Sequence, residues 1–156
     1  MIGIISDTHD NIPAIEDAVK LFNSRKVKLV LHAGDMVSPF TSRPFSKLKV
    51  PMKCVYGNND GDYKALAMAY KGIGDFVVGE REVEYAGKKI LMSHDELPDY
   101  KCDIDIAIFG HTHKALIRRE DSRLFINPGE AGGWVTGKRT LALLKIKNME
   151  AEIIEF

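Results

Sequence analysis

The amino-acid sequence predicts an α/β fold of one domain over residues 1–156: a four-layer α-β-β-α sandwich with two mixed β-sheets face to face and helices outside. In the first third of the chain, short apolar runs alternate with helical patterns, which is the order that parallel βαβ units require. In the second half, apolar runs follow one another with only glycine or charged turns between them, which indicates more antiparallel β structure. A chain of 156 residues is long enough for one proper core and short for two domains.

Almost continuous apolar runs in the first third predict strands that are buried on both faces. Three such strands are expected, at residues 2–5, 27–31 and 52–56. A helix is expected after Asn11, because apolar residues recur from Ile15 to Phe22 at helical spacing and Asn11 is a favourable N-cap. Segments 38–49 and 62–71 are predicted to be further helices, the first interrupted by two prolines.

The second half of the chain is predicted to be mostly β structure. Seven strands are expected, at residues 76–85, 88–93, 104–109, 115–119, 124–127, 140–147 and 151–154. The segment Ala86-Gly87-Lys88 is typical of a hairpin tip. These strands would complete two sheets that pack face to face.

Composition and charge exclude several classes of protein. Lysine plus arginine equals aspartate plus glutamate at 22 each, so no overall field attracts nucleic acid or anionic lipid. No apolar run approaches the roughly 18 residues of a membrane span, and no basic segment precedes the first apolar run, so neither membrane insertion nor secretion is expected. Cys54 and Cys102 form no CxxC pair, which is typical of a reducing compartment, and we expect a cytoplasmic protein.

Polar residues with metal-binding side chains directly follow five of the apolar strands. They are Asp7-Thr8-His9, Gly34-Asp35, Gly57-Asn58-Asn59-Asp60, Ser93-His94 and Gly110-His111-Thr112-His113. In an open α/β sheet the carboxyl ends of the strands face one crevice, so these residues are expected to converge. Imidazole and carboxylate together bind Zn, Mn, Fe or Ni. There are more candidate ligands than one tetrahedral ion can use, which favours two ions about 3.5–4 Å apart that share a carboxylate.

Each of these residues, taken alone, also has a purely structural interpretation. An aspartate after a strand is often a helix N-cap, an asparagine is often a turn residue, and a loop histidine need not bind a metal. Asn59 is as well explained by a turn as by a substrate contact. His32 is expected to be a buried histidine behind the site rather than a ligand. Trp134 has three possible roles: it could line the mouth of the site, take part in a subunit contact, or pack within its own loop.

The ordered set of motifs resembles that of the calcineurin-like metallophosphoesterase family. The matching motifs are DxH at Asp7 and His9, GD at Asp35, GN at Asn58, the histidine at His94, and GHxH at His111 and His113. The later Asn127-Pro128-Gly129 resembles the small prokaryotic phosphodiesterase branch of that family. Any one motif is weak evidence, but the complete set in this order is strong evidence.

The resemblance implies two divalent transition-metal ions (Mn, Ni, Fe or Zn) and assigns their ligands. The first ion would be held by Asp7, His9, Asp35 and His113, and the second by Asp35, Asn58, His94 and His111. Asp35 would bridge the ions, and Asn58, Asn59 and Asp35 would be the catalytic residues. The implied activity is that of a metal-dependent phosphoric ester hydrolase, a phosphodiesterase whose nucleophile is a hydroxide bridging the metals.

The sequence departs from the family pattern at two positions. Larger members commonly have a histidine where Asn59 stands, and a neutral amide donates hydrogen bonds but supplies no proton to a leaving group. Asp95 replaces a usual glycine after the metal-binding histidine, and Glu96 follows it, which adds negative charge beside the site. Asp10, Asp60 and Glu130 add to that charge in the sequence.

We therefore expect a small-molecule phosphodiester as the substrate. Two divalent ions, Asp7, Asp35 and one hydroxide leave a net charge of about +1, which suits a monoanion. One alternative is a non-catalytic protein-interaction scaffold, because the fold resembles that of a retromer subunit that binds protein partners. Another is a metal-dependent nuclease, which would need a basic groove that the neutral charge does not indicate. A homo-oligomer is compatible with the sequence.

Overall fold

The computed structural model describes residues 1–95 and 103–156, and in these ranges the chain forms eleven strands and three α-helices. The elements in chain order are β1 (Ile2–Ile5), α1 (Ile12–Ser24), β2 (Val30–His32), a 3₁₀ turn (Pro39–Thr41), α2 (Ser42–Phe45), β3 (Met52–Val55), α3 (Tyr63–Ala69), β4 (Gly74–Val77), β5 (Arg81–Tyr85), β6 (Lys88–Met92), β7 (Ile106–Ile108), β8 (Leu116–Glu120), β9 (Arg123–Asn127), β10 (Thr140–Lys145) and β11 (Glu150–Glu155).

The strands form two mixed sheets, as predicted. The first sheet has the order β11-β10-β1-β2-β3-β4, in which β1 to β4 run parallel and β10 is antiparallel to both its neighbours. The second sheet has the order β5-β6-β7-β9-β8, with β6, β7 and β9 parallel and an antiparallel pair at each edge. The parallel strands of each sheet lie side by side, so their carboxyl ends form one edge per sheet.

Successive side chains of β1 point to opposite faces of the first sheet, which shows how the layers pack. Ile4 points into the apolar cluster between the sheets, where it joins Ile106 and Ile126 of the second sheet. Ile5 points to the opposite face and packs with Phe22 of α1. All three α-helices of the described ranges cover this outer face of the first sheet. A strand buried on both faces explains why β1 is apolar at almost every position.

Local sequence explains the ends of the helices. Asn11 caps α1, since its Oδ1 accepts a hydrogen bond from the Ala14 backbone N–H at 3.2 Å. Asp62 caps α3 in the same way, by accepting from Ala65 N at 2.9 Å. The helix predicted at 38–49 is reduced to a 3₁₀ turn and the four residues of α2, because each of the two prolines there lacks an N–H donor.

The single strand predicted at 76–85 was wrong. The structure has two strands, β4 in the first sheet beside β3 and β5 in the second sheet beside β6. Gly79, with a φ of +77°, lies between them, and its left-handed backbone lets the chain turn from one sheet to the other. Apolar residues stand at both ends of segment 76–85 and Gly79 is its one turn-forming residue, so the pattern alone suggested one element. The hairpin predicted at Ala86-Gly87-Lys88 is present: Ala86 and Gly87, both with positive φ, form a two-residue turn, and Lys88 begins β6.

No helix within residues 1–95 and 103–156 is long and apolar enough to cross a membrane. Cys54 is buried in β3, where burial raises the pKa of its thiol well above the usual range, so it is unreactive. Cys102 and Glu96, both named above from the sequence, lie outside the described residues.

Candidate metal centre

The seven predicted ligands come together at the carboxyl ends of five strands. The loops after β1, β2 and β3 carry Asp7 and His9, Asp35, and Asn58, while the loops after β6 and β7 carry His94 and the pair His111 and His113. The first three loops belong to the first sheet, and the other two belong to the second sheet. The site therefore lies where the two sheets meet, and both of them position its side chains.

One group of side chains consists of Asp7, His9 and His113, whose nearest ligand atoms all lie within 4.8 Å of one another. Asp7 Oδ1 is 3.5 Å from His113 Nε2 and 3.9 Å from His9 Nε2. Among the residues that the structure describes, Asp7 Oδ1 and His9 Nε2 are buried without a hydrogen-bond partner. A buried polar atom without a partner is costly, so this group fits a metal ion between these atoms.

A second group is formed around Asn58, whose Oδ1 lies 2.9 Å from His94 Nε2 and 3.0 Å from His111 Nδ1. The rings of the two histidines meet edge to face, with centroids 5.1 Å apart. Asp35 completes the group through its Oδ2, which is 3.4 Å from His94 Nε2. Imidazole, amide-oxygen and carboxylate atoms thus converge as they do in transition-metal sites.

Asp35 lies between the two groups. Its Oδ2 is 3.5 Å from His9 Nε2 on one side and 3.4 Å from His94 Nε2 on the other. Asp7 is also central, since it joins Asp35 and His94 in a second cluster whose ligand atoms lie within 4.8 Å. Asp7 Oδ1, however, makes its close approaches to the histidines of the first group, which leaves Asp35 as the carboxylate between the two.

Asn59 fixes both oxygens of the Asp35 carboxylate. Its backbone N–H donates to Oδ1 at 2.9 Å and its side-chain amide donates to Oδ2 at 2.8 Å. Burial alone would raise the pKa of Asp35, but hydrogen bonds from His94 and Asn59 outweigh that effect and lower it. Burial alone would lower the pKa of His94, and its interaction with the Asp35 carboxylate instead raises it to about 9.

The side chain of Asp60 links the loops after β2 and β3 through hydrogen bonds. Its carboxylate accepts backbone hydrogen bonds from Gly57 at 2.7 Å, Val37 at 2.7 Å and Asp35 at 3.1 Å. Asp10 acts similarly, because it accepts from the backbone N–H and the hydroxyl of Ser38 at 2.9 and 2.7 Å. Sequence reasoning counted both only as negative charges near the site.

Asn127 holds the histidine loop after β7, and Glu130 lies against it. The amide of Asn127 donates to Gly110 O at 2.7 Å and to Thr112 Oγ1 at 3.0 Å. Glu130 Oε1 lies 3.3 Å from His113 Nδ1. Burial alone would raise the pKa of Glu130, but hydrogen bonds from the backbone and hydroxyl of Thr136 and from the backbone N–H groups of Val135 and Trp134 lower it. Asn127 was quoted from the sequence only as part of a motif, and the contact of Glu130 with His113 was missed.

The backbone is strained at five of the seven predicted ligands. Positive φ angles of 40° to 63° occur at Asp7, His9, Asp35, His111 and His113. Residues other than glycine rarely adopt this region, and those that do are enriched at functional sites. A glycine is required beside them at position 57, where an added Cβ would overlap Asp35 Oδ1.

His32 and Trp134 take two different places near the site. His32 is fully buried, and its Nδ1 accepts a hydrogen bond from Gly34 N at 3.2 Å. Burial lowers its pKa to about 3, so it stays neutral behind the ligands, which confirms that it is a buried residue. Trp134 is 66% exposed and its Nε1–H donates to His9 O at 3.0 Å, so it contacts the loop of this candidate ligand at the mouth of the site.

Residues 1–149 match the family model of the calcineurin-like phosphoesterase superfamily domain. The chain belongs to this superfamily. A phosphodiesterase of Methanocaldococcus jannaschii is 36% identical over 161 residues, which cover 96% of this chain and 95% of that protein. A solved structure of an archaeal phosphodiesterase matches with a TM-score of 0.93 at 34% identity, over 99% of each chain. Vacuolar protein sorting-associated protein 29 of Schizosaccharomyces pombe is 25% identical over 141 residues, 85% of this chain and 73% of that protein.

These similarities confirm the predicted family and fold of this calcineurin-like phosphoesterase. They also support the prediction that it is a phosphoric ester hydrolase. The two clusters of histidine and carboxylate atoms provide candidate ligands for the metal ions on which such an enzyme depends.

Proposed function

We propose that the protein hydrolyses phosphodiesters at a dinuclear metal centre in which Asp35 bridges the two ions. The observation that carries this proposal is the position of Asp35 Oδ2, 3.5 Å from His9 and 3.4 Å from His94, each in a different ligand group. The proposed ligand sets are Asp7, His9, Asp35 and His113 for one ion, and Asp35, Asn58, His94 and His111 for the other. The two relatives named as phosphodiesterases support the choice of reaction.

The residues fit divalent transition metals. Asp7 Oδ1 and His9 Nε2 lack hydrogen-bond partners in the described part of the chain, and a cation between them would satisfy both. Imidazole, carboxylate and amide-oxygen donors suit Mn, Ni, Fe or Zn. Glu130 beside His113 Nδ1 leaves Nε2 facing Asp7, which is the orientation that a ligand to the first ion needs.

When bound, two such ions supply a water with a pKa lowered toward about 7 as the nucleophile, and electrophilic stabilisation of the phosphate oxygens. Asn58 is exposed next to His94 and His111, where its side chain orients the phosphate. Asn59 holds the Asp35 carboxylate in its bridging position and offers no proton to the leaving group. Esters whose leaving groups need no protonation should therefore react fastest.

The charge around the site favours a diester over a monoester. The carboxylates of Asp10, Asp60 and Glu130 are neutralised in part by backbone N–H donors, whereas Asp95, with a side chain 78% exposed, faces solvent. Its Oδ1 lies 3.9 Å from His111 Nε2. A dianionic monoester is repelled by this carboxylate about twice as strongly as a monoanionic diester.

The test is hydrolysis by metal-free protein to which Mn²⁺ or Ni²⁺ is added back. We expect kcat/KM for bis(4-nitrophenyl) phosphate to exceed that for 4-nitrophenyl phosphate, and chelation to abolish both activities. Asp95→Gly should reduce the ratio of the two kcat/KM values. Asp121→Gly, in the exposed turn between β8 and β9, should leave this ratio unchanged. Activity that survives exhaustive chelation would refute the metal mechanism. A wild-type preference for monoesters would refute the charge argument and point to exposed Lys114, directly after His113, as a phosphate contact.

A protein-interaction scaffold is the second candidate, because the relative from Schizosaccharomyces pombe is named for vacuolar protein sorting. All seven candidate ligands are present and converge in this chain, which favours the enzyme. Absence of bound metal together with absence of hydrolysis would favour the scaffold. The cytoplasmic location and a homo-oligomeric state stay predictions from the sequence.

A further inference from the structure

A small cavity of about 200 Å³ opens directly beside the second group of proposed ligands. Asn58 and His94 line it on the side of the metal centre. Tyr56 and Tyr63 form an aromatic part of its wall, and Asp95 lines it as well. A group attached to a phosphate held at Asn58 and His94 would therefore enter this cavity.

The aromatic wall is part of a stack of three rings. Tyr56 lies between Phe76, with ring centroids 4.8 Å apart, and Tyr63, with centroids 4.0 Å apart and planes inclined by 16°. The hydroxyl of Tyr56 donates to the backbone carbonyl of Tyr63 at 2.9 Å, which fixes the start of α3 against the stack. The wall is thus a rigid surface.

Tyr63 ends the stack and stays 40% exposed, whereas Tyr56 is buried. Tyr56 covers one face of the Tyr63 ring, so the part that meets solvent is the other face and the edge. An exposed ring surface on a rigid support is a suitable platform for another flat ring, which gains from stacking and from burial of apolar area. Whole drug-sized ligands need about 300–1,000 Å³, so this cavity fits only one part of a substrate.

We propose that this cavity binds a planar aromatic ring on one ester arm of the phosphodiester substrate, packed against Tyr63, while the phosphate occupies the metal centre. The inference rests on the proposed phosphodiesterase function and adds the chemical class of the substrate. The ring belongs either to an aryl group or to a nucleobase. Asp95 accepts hydrogen bonds from the N–H groups of a nucleobase, and a simple aryl group gains nothing from it.

The test compares three phosphate monoesters as competitive inhibitors of bis(4-nitrophenyl) phosphate hydrolysis by the Mn²⁺-loaded protein. Methyl phosphate, phenyl phosphate and thymidine 5′-monophosphate carry the same phosphate charge, so differences between them report on the arm. We expect at least one aromatic ester to bind about tenfold more tightly than methyl phosphate. Tighter binding of phenyl phosphate identifies an aryl arm, and tighter binding of the nucleotide that weakens in Asp95→Asn identifies a nucleoside arm.

Variants of Tyr63 and of a residue outside the cavity distinguish binding in the cavity from general effects on folding or on phosphate binding. Tyr63→Ala should remove most of the aromatic preference, and Tyr63→Phe should retain it. Phe40→Ala is the matched control, because Phe40 is 48% exposed and lies in a different groove, beside Ile12 and Pro44. Thermal unfolding checks that each variant is folded. An equal affinity of all three esters in the wild type, or a preference that Tyr63→Ala leaves unchanged, would overturn the proposal.

Calorimetric titration with phenyl and methyl phosphate gives the same comparison without turnover. Loss of diester hydrolysis therefore counts against the proposed function, while loss of the aromatic preference counts against this cavity alone. The two proposals fail by different measurements.

Discussion

Asp35 and His94 shift each other's pKa in opposite directions. The Asp35 carboxylate raises the pKa of His94 to about 9, while hydrogen bonds from His94 and Asn59 keep Asp35 ionised in spite of its burial. In the metal-free protein His94 is therefore a cation at neutral pH. A metal ion that binds to His94 must displace that proton, so its affinity falls as the pH drops below about 9.

The titration of His94 follows directly from this pairing. Its folded pKa lies above the ordinary value of 6.5, so its pairing with Asp35 stabilises the metal-free protein fully below pH 6.5, and this stabilisation is lost as the pH rises through about 9. NMR titration of the His94 ring in the metal-free protein should show a midpoint near 9. Asp35→Asn should move the midpoint toward 6.5. A wild-type midpoint at or below 6.5 would contradict the pairing.

Asn127 is expected to support metal binding from behind the ligands. Asn127→Ala leaves Gly110 O and Gly129 N without their partner, which should lower the free energy of unfolding by about 1–3 kcal/mol. It should also weaken metal binding, because Asn127 anchors the loop of His111 and His113. Chemical denaturation and metal titration measure the two effects. Asn148→Ala, in the exposed turn before β11, is the control. Unchanged metal affinity in Asn127→Ala would leave the residue with a structural role alone.

At the scale of elements, close approach of two loops determines where the carboxylate of Asp35, the proposed bridge, lies. The loops after β2 and β3 approach so closely that a Cβ at Gly57 would overlap Asp35 Oδ1. Gly57→Ala should therefore displace Asp35 and lower metal affinity at least about tenfold. Gly61→Ala is the matched control, because nothing lies within 4 Å of a Cβ at that position. Metal titration distinguishes the two variants, and equal affinities would show that Asp35 tolerates the displacement.

The sequence could place the seven candidate ligands in one region because each one follows an apolar strand whose end could be located. Buried runs such as Ile2–Ile5 and Met52–Val55 are easily recognised, and topology then gathers their carboxyl ends. The division between β4 and β5 could not be predicted, since both strands contain apolar residues and only the turn at Gly79 separates them.

The supporting residues were harder to predict than the ligands. Asp60 contacts Val37 and Asp35 across loops that are distant in the sequence, and Glu130 contacts His113 in the same manner. Their roles depend on how loops pack together, which residue type and local spacing do not encode. A buried carboxylate next to a turn is a weak signal by itself.

At the scale of the whole molecule, the candidate site joins the two sheets. His9 and Asp35 come from loops of the first sheet, and His94 and His113 from loops of the second. The apolar cluster between the sheets fixes the distance between them, so the two groups of candidate ligands stay close even without a metal. The two sheets therefore preorganise the centre that the proposed reaction requires.

The measurement that tests this account most directly is the number of metal ions bound per chain in the wild type and three variants. We predict two ions for the wild type. His9→Ala should mainly weaken the first site and His94→Ala the second, whereas Asp35→Asn should weaken both, because Asp35 alone is assigned to both ions. One ion per chain in the wild type, equal losses in all three variants, or no loss in Asp35→Asn would contradict the bridged dinuclear centre.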